Sequence, residues 1–367
     1  MRVLLDCRMT TWTGVGRYSQ GLARALGEMT DELRVIQVVR SSDDAPIPDG
    51  EMVRSRFSPL SPAGMVEFGA IQRGERADIT HCLHFPTPLP AHSPLVVTLH
   101  DLTPLIVDGV MPVAWRRAVY AGLNRRAVRV ADAVITPSAH TAADVERLIP
   151  AAQGKTHVTL EGVDDFAVGP AAELTGELAR ITAAPYVLSM GATRAHKDLP
   201  TLLRAFERIA SERPKLRLLL VGAEQSGFVS ATIPHAAEAI RSRVVFTGRV
   251  SDSELRALYA NAAVFAFPSR YEGFGLPPLE AMAMGAPVVC ADSSSLPEVV
   301  GGAALMHPVG DPVALADAVC RVLDEPTLRD RLVAAGHARA AGLTWSAVAH
   351  ATFAVYREVC SKTAKES

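Results

Sequence analysis

Short apolar runs alternate with stretches of helical periodicity along the whole chain. In the first half the runs fall at residues 3–6, 35–39, 79–81, 95–99 and 133–136. Helical patterns lie between them, notably over 16–29 and 112–130. Runs this short and this continuously apolar predict strands buried on both faces, and their alternation with helices specifies a parallel sheet between helical layers. The register restarts after a mixed Gly/Pro/Glu stretch at 167–184, with further runs at 186–190, 216–221, 244–246, 264–267 and 287–290. The expected architecture is therefore α/β, with two doubly wound Rossmann-like domains, 1–167 and 168–345, facing across a cleft. A final helical stretch, 346–367, follows a helix ending near Gly342 and can cross back onto the first domain. Loops at the carboxyl ends of such sheets are where ligands bind.

Composition narrows the classes. A chain of 367 residues, 49% hydrophobic, can build two cores. A net charge of −2 gives no footing for nucleic acid. The five cysteines are scattered without CxxC spacing, and Cys7 and Cys290 fall in or beside expected strands, which reads as a reducing compartment without structural zinc. Residues 2–6 already read as strand, leaving no room for a signal peptide, and no run approaches the roughly 20 apolar residues that span a bilayer. These features predict a soluble cytoplasmic protein.

The most informative segment is Ser269-Arg-Tyr-Glu-Gly-Phe-Gly-Leu-Pro-Pro-Leu-Glu280. It follows an expected strand. Pro277 and Pro278 mark a helix start, because proline loses nothing in a first turn. Glu280 then falls in the first turn and Glu272 in the loop before it. A carboxylate there can accept from sugar hydroxyls, and the N–H groups of Gly273, Phe274 and Gly275 can face an oxygen-rich ligand. For Glu280, complementing the helix dipole is an equal explanation.

Four further segments carry candidate chemistry. Thr13-Gly-Val-Gly-Arg-Tyr18 opens a helix after the first strand, and Gly14 and Gly16 permit close backbone approach to an anion. It lacks the third glycine and the acidic residue of a dinucleotide fingerprint. In Met190-Gly-Ala-Thr-Arg-Ala-His-Lys-Asp198, Arg194 and Lys197 precede a helix start, where cations oppose the dipole and an anionic partner is expected. His100, in Leu99-His-Asp-Leu-Thr-Pro104, sits at a strand end, where either a catalytic group or a core histidine bonded to backbone belongs. Asp101 either orients it or caps the next turn. The segment 115–129 combines five arginines with Trp115 and Tyr120, as a solvated face or as a contact for anionic lipid. No Asp-x-Asp pair occurs to bridge a metal to a diphosphate.

With these residues assembled, the chain resembles a family-4 glycosyltransferase of the GT-B architecture, in its bacterial mannosyltransferase-like branch. The likeness runs through nearly the whole chain and is densest over 244–311. There Phe246-Thr-Gly-Arg-Val-Ser-Asp252 precedes the Glu-x7-Glu string and Ser295-Leu-Pro-Glu-Val-Val-Gly301 follows it. Asp6-Cys-Arg8, Thr13–Tyr18 and Thr98-Leu-His-Asp101 are similar to the same branch. The resemblance implies retaining, metal-independent transfer of a hexose, mannose first, from a nucleotide-diphosphate sugar to a glycan or lipid-linked acceptor in surface polysaccharide or glycoconjugate synthesis. It implies no cofactor beyond the donor, for which GDP-mannose is the first choice. Carried over by position, Glu280 holds the ribose, and Glu272, Gly273, Phe274, Gly275 and Leu276 hold the donor sugar. Lys197 and Arg194 neutralise the diphosphate with help from the Gly16 backbone, and Val250 touches the base. His100, Glu272 and Lys197 form the catalytic set, while Arg17, Tyr18 and Asp101 face the acceptor. Two positions depart from the pattern: His196 stands where arginine is usual, and Glu161-Gly-Val-Asp164 replaces Asn-Gly-Val-Asp. The basic helix 116–129 offers a peripheral contact with the inner membrane surface. A sugar-nucleotide epimerase of this architecture and a sugar-binding protein are the competing readings; the first does not need the Glu-x7-Glu string.

Overall fold

The computed structural model describes residues 1–41, 44–92, 94–190, 194–223 and 227–366. The chain divides into two compact units. The first comprises 1–106, 111–162 and 343–367, and the second 107–110 and 163–342. The division falls at Gly162/Val163, a few residues before the expected boundary at 167/168.

The first unit is built on a seven-stranded parallel sheet: β1 (Arg2–Asp6), β2 (Arg34–Val39), β3 (Glu51–Arg54), β4 (Ile79–Cys82), β5 (Leu95–Thr98), β6 (Ala133–Thr136) and β7 (Thr156–Val158), in the order β3-β2-β1-β4-β5-β6-β7. Alternate residues feed opposite faces. Val3, Leu5, Val35 and Ile135 pack under the helix Thr13–Glu28, whereas Leu4, Ile36, Val97 and Val134 pack under Pro62–Glu75 and Ala114–Val130. The C-terminal helix Trp345–Glu366 belongs to this unit. Its Trp345 lies against Gly21 and Gly162, where an added Cβ would come within 2.1 Å of the indole at Gly21 and within 2.5 Å of the Trp345 backbone at Gly162. A buried chain of polar contacts crosses the same layer. The Tyr18 hydroxyl meets Thr98 Oγ1 (3.2 Å), which meets His81 Nε2 (2.8 Å), and His81 Nδ1 meets the Tyr356 hydroxyl (2.6 Å).

The second unit has a six-stranded parallel sheet: β8 (Tyr186–Met190), β9 (Arg217–Val221), β10 (Val244–Gly248), β11 (Val264–Phe267), β12 (Val288–Ala291) and β13 (Ala304–His307), in the order β10-β9-β8-β11-β12-β13. Its core joins Leu218, Leu220, Val264 and Val289 to the helix Leu199–Glu212, whose Leu202, Leu203, Phe206 and Ile209 recur at helical spacing. Strand order reverses at β1/β4 in the first unit and at β8/β11 in the second, the position where open α/β sheets bind ligands.

β3, β7 and β13 lie outside the runs anticipated from the sequence. All three are edge strands. An edge packs on fewer neighbours, so Glu51 and Arg54 of β3 can stay exposed and no continuous apolar run is required. β3 falls within the 41–61 stretch, which carries no readable pattern.

Candidate active site

In the second unit the loops after β8 and β11 meet at the switch point and are tied together three times. The His196 carbonyl accepts from the Arg270 N–H (2.7 Å) and lies 3.0 Å from Ser269 Oγ. Asp198 Oδ2 pairs with Arg270 Nε at 2.9 Å. Lys197 Nζ donates to Glu272 Oε1 at 2.6 Å, and Ser269 Oγ donates to the same oxygen at 2.6 Å. Lys197 and Glu272 keep 17% and 14% of their side-chain surface, so the pair is shielded yet reachable. The Lys197 ammonium lies 5.0 Å from the Phe267 ring centre, a further attraction for a cation.

These contacts change one expectation. Lys197 does face an anion, but that anion is Glu272, and Asp198 rather than a bare cation stands at the start of Leu199–Glu212. The neighbouring Gly191, Ala192 and Thr193 of the motif lie outside the described residues. Arg194 is exposed just ahead of the 3-10 turn Ala195–Lys197.

The Gly273–Gly275 loop leads into the helix Leu276–Ala283. Gly275 has φ +121°, and a Cβ there would sit 2.8 Å from Leu296 Cδ2, so both backbone and space require glycine. The Glu272 N–H donates to Ser294 Oγ (2.9 Å), and Ser295 Oγ donates to the Glu272 carbonyl (3.0 Å). No acceptor among the described residues takes the N–H of Phe274 or Gly275. Leu276 starts the helix and both prolines follow it, so Glu280 lies beyond the first turn, one step deeper than expected. It is buried at 3% exposure and accepts from the Tyr259 hydroxyl at 3.1 Å. Dipole complementation at a helix start therefore does not explain it. Val250 is half-buried in the turn after β10.

The first unit gathers a different set at its strand ends. The helix Thr13–Glu28 follows β1 without a side-chain cap from Trp12, leaving its first N–H groups without that partner. Gly14 is open, with nothing within 4 Å of an added Cβ. Gly16 is closed: a Cβ would meet the Thr10 carbonyl oxygen at 2.4 Å, so this glycine is required by its own chain. His100, after β5, is buried; its Nε2–H donates to the Leu83 carbonyl (2.9 Å) and its Nδ1 lies 3.5 Å from Glu161 Oε1. The backbone-bonded reading of His100 thus holds for one nitrogen, and a carboxylate meets the other. Asp101 does not orient it. Its Oδ1 accepts from the Thr103 N–H (2.8 Å) at the start of Thr103–Ile106. Arg17 is half-buried just beyond the first turn of its helix.

Tyr18, expected at an acceptor, is fully buried, with its ring edge-on to His100 (4.6 Å) and to Trp345 (5.9 Å). With no exposed surface, it contacts His100 from within the core rather than from the surface expected of an acceptor residue. Burial raises its hydroxyl pKa above the ordinary tyrosine value. His84, after β4, was not singled out from the sequence. Its ring lies 5.7 Å from that of His100, and burial, then the charge of His100, pulls its pKa well below the ordinary value. Asp6-Cys-Arg8 is structural: Arg8 Nε and Nη2 each reach an Asp6 oxygen at 2.7 Å, and neither side chain has exposed surface. Cys7 and Cys290 are buried, and burial pushes the Cys290 thiol up to about 12.

On the helix Ala114–Val130, Arg117 donates to the Leu105 carbonyl (2.7 Å) and Arg126 binds Thr87, so these two arginines serve the fold. Among the described residues, no helix is long and apolar enough to cross a membrane, and no three His, Cys, Asp or Glu side chains converge as a metal set.

Two Rossmann-like units, the second with a lysine–glutamate pair at its switch point, define a two-domain doubly wound α/β class. The solved structure of sucrose-phosphate synthase from Thermosynechococcus elongatus shares this fold, with a TM-score of 0.78 at 22% identity over 99% of this chain and 100% of that one. Residues 12–165 match the family described as Glycosyltransferase Family 4, and residues 184–325 that described as Glycosyl transferases group 1. The MMP alpha-(1->4)-mannosyltransferase of Mycolicibacterium hassiacum is 33% identical over 288 residues, 74% of this chain and 67% of that protein. The O-antigen chain mannosyltransferase B of Escherichia coli is 34% identical over 174 residues, 47% of this chain and 45% of that relative's length. The chain belongs to the family-4 glycosyltransferases. That membership sets aside the epimerase and sugar-binding readings.

Proposed function

We propose that this protein is a retaining, metal-independent hexosyltransferase that moves mannose from GDP-mannose to a glycan or lipid-linked acceptor on the cytoplasmic side of the membrane. The observation that carries this reading is the Lys197–Glu272 pair beside the Phe274 and Gly275 N–H groups, which have no acceptor among the described residues. A diphosphate would compete with Glu272 for Lys197 and offer the ammonium two negative groups instead of one. As the glycosidic bond breaks, charge grows on the leaving β-phosphate, and a pre-placed ammonium with fixed N–H donors stabilises it without reorganising. Arg194 adds to that field. Glu272, released from Lys197 but still held by Ser269, accepts from hydroxyls of the donor sugar. Glu280 takes the ribose hydroxyls, Val250 lies at the base, and His100 acts at the reacting sugar. Arg17 and Asp101, both half-buried, are the candidates for the acceptor, with Tyr18 packed behind them. The mannosyltransferase names of two relatives support the choice of sugar.

Thermal stabilisation and hydrolysis should be measured across GDP-, UDP- and ADP-sugars, with and without EDTA. GDP-mannose should raise the melting temperature most and be turned over equally in EDTA. No stabilisation by any nucleotide sugar, or loss of turnover on chelation, contradicts the reading.

The face of Ala114–Val130 that carries Trp115, 64% exposed with the Arg116 guanidinium 5.4 Å from its ring, together with exposed Val113 and Val119, supports a contact with anionic lipid. Flotation with phosphatidylserine vesicles, absent with phosphatidylcholine alone and lost in Trp115→Ala, is the expected result. Equal flotation of both variants overturns it.

A further inference from the structure

The environment of His100 contains a partner that the reaction scheme above does not use. Its Nε2 lies 2.9 Å from the Leu83 carbonyl oxygen, which can only accept, so Nε2 carries a hydrogen. Its Nδ1 lies 3.5 Å from Glu161 Oε1, and the two side chains retain only 10% and 6% of their surface. A bare nitrogen lone pair facing a carboxylate in such a place would leave two acceptors opposed and a buried charge uncompensated, a costly arrangement. One proton between Nδ1 and the carboxyl resolves both. The ring is further fixed by the edge of Tyr18 at 4.6 Å, and the other titratable ring beside it is His84 at 5.7 Å. Glu161 comes from the segment after β7, outside every loop assigned to the donor.

We propose that Glu161 is a positioning residue for the transfer reaction: with the Leu83 carbonyl it clamps the His100 imidazole from both nitrogens and keeps a proton on the Nδ1 side. His100 then stands at the reacting sugar in one fixed orientation, its Nδ1 proton shared across 3.5 Å with Glu161, instead of as a rotating neutral ring. This rests on the reading of His100 as part of the active site.

The test is a double-mutant cycle with His100→Ala, Glu161→Ala and the combination, each checked for a native melting transition, plus Glu161→Gln as the isosteric variant. Glu161→Ala should lower kcat by about tenfold to a hundredfold with little change in KM, the scale of a misplaced reacting group. In the His100→Ala background the same change should alter kcat by no more than about twofold, because the partner it serves is gone. Nitrogen-15 spectra should show both His100 ring nitrogens protonated in the wild type and Nδ1 unprotonated in Glu161→Gln. Should Glu161→Ala fail to fold, Glu161→Gln supplies the kinetic arm. A normal kcat for the Glu161 variants alongside an impaired His100→Ala, losses that add in the double variant, or an unchanged Nδ1 signal each overturn the proposal. Full activity in His100→Ala instead removes His100 from the site, a separate failure.

Discussion

Each unit places an ion pair just beyond the first strand of its sheet, and the two pairs do opposite things. After β1, Arg8 grips Asp6 through two 2.7 Å bonds with no exposed surface on either partner. After β8, Lys197 holds Glu272 through one 2.6 Å bond, and both keep a seventh or so of their surface. The geometry of Asp6–Arg8 is bidentate and complete, with Arg8 Nη1 also donating to the Gly64 carbonyl (3.0 Å), so it offers a ligand nothing. Lys197–Glu272 is monodentate and leaves donors and acceptors to spare. Access and residual bonding capacity, more than charge type, separate a pair that holds a fold from a pair proposed to handle a substrate.

That contrast can be broken from either side. The largest effect should come from Arg8→Ala, which strands a buried carboxylate and should cost about 3–5 kcal/mol of stability; a urea midpoint within error of wild type would refute the structural reading. Lys197→Ala and Glu272→Ala should each lower transfer by at least about a hundredfold, equivalent to about 2.7 kcal/mol, while melting near the wild-type temperature. Near-normal turnover in both would remove the site from this pair. Gly21→Ala should cost about 1–3 kcal/mol, because the new Cβ meets the Trp345 indole at 2.1 Å and an aromatic ring in a packed layer yields little. Equal thermal stability of this variant would mean the C-terminal helix is not docked on its partner as described.

The smallest effect is pH-dependent and also sharpens the contrast, since it belongs to the first unit's interior. Burial, then the charge of His100, pulls the His81 pKa down to about 3. In the unfolded chain a histidine takes up its proton near pH 6.5. Between those values the unfolded state binds the extra proton. Stability is therefore full above about pH 6.5, and His81 alone lowers it by about 1.4 kcal/mol for each unit below. His84 adds in the same direction. Denaturation midpoints measured between about pH 7.5 and 5.5 should decline only on the acid side; a flat profile contradicts a neutral buried His81.

The two units also differ in how far the sequence reveals them. The second unit's site is compressed into one string, Ser269 to Glu280, and the adjoining Lys197 loop, so its chemistry is visible as local spacing. The first unit assembles its group from Leu83, His84, His100 and Glu161, residues spread over three separate loops. Only His100 was visible, as a polar residue ending an apolar strand. Glu161 was noticed as a departure from a pattern, yet nothing local signals that it meets His100. A tyrosine two residues past a glycine turn reads equally well as surface or core; helix periodicity buries Tyr18 here beside Ser19 and Leu22. Gly16 was rightly singled out as a close approach, but the approaching group is the Thr10 carbonyl. Central strands were legible because burial on both faces demands continuous apolar runs, and three edge strands were not because that demand is relaxed.

The central claim is that Lys197 and Glu272 form a donor-diphosphate site. Titration calorimetry of nucleoside diphosphates into wild type and Lys197→Ala tests it most directly. One diphosphate should bind the wild type, and binding should weaken at least about tenfold in the variant, the loss of one charge-assisted contact. Equal affinity for that diphosphate in both proteins would contradict the account.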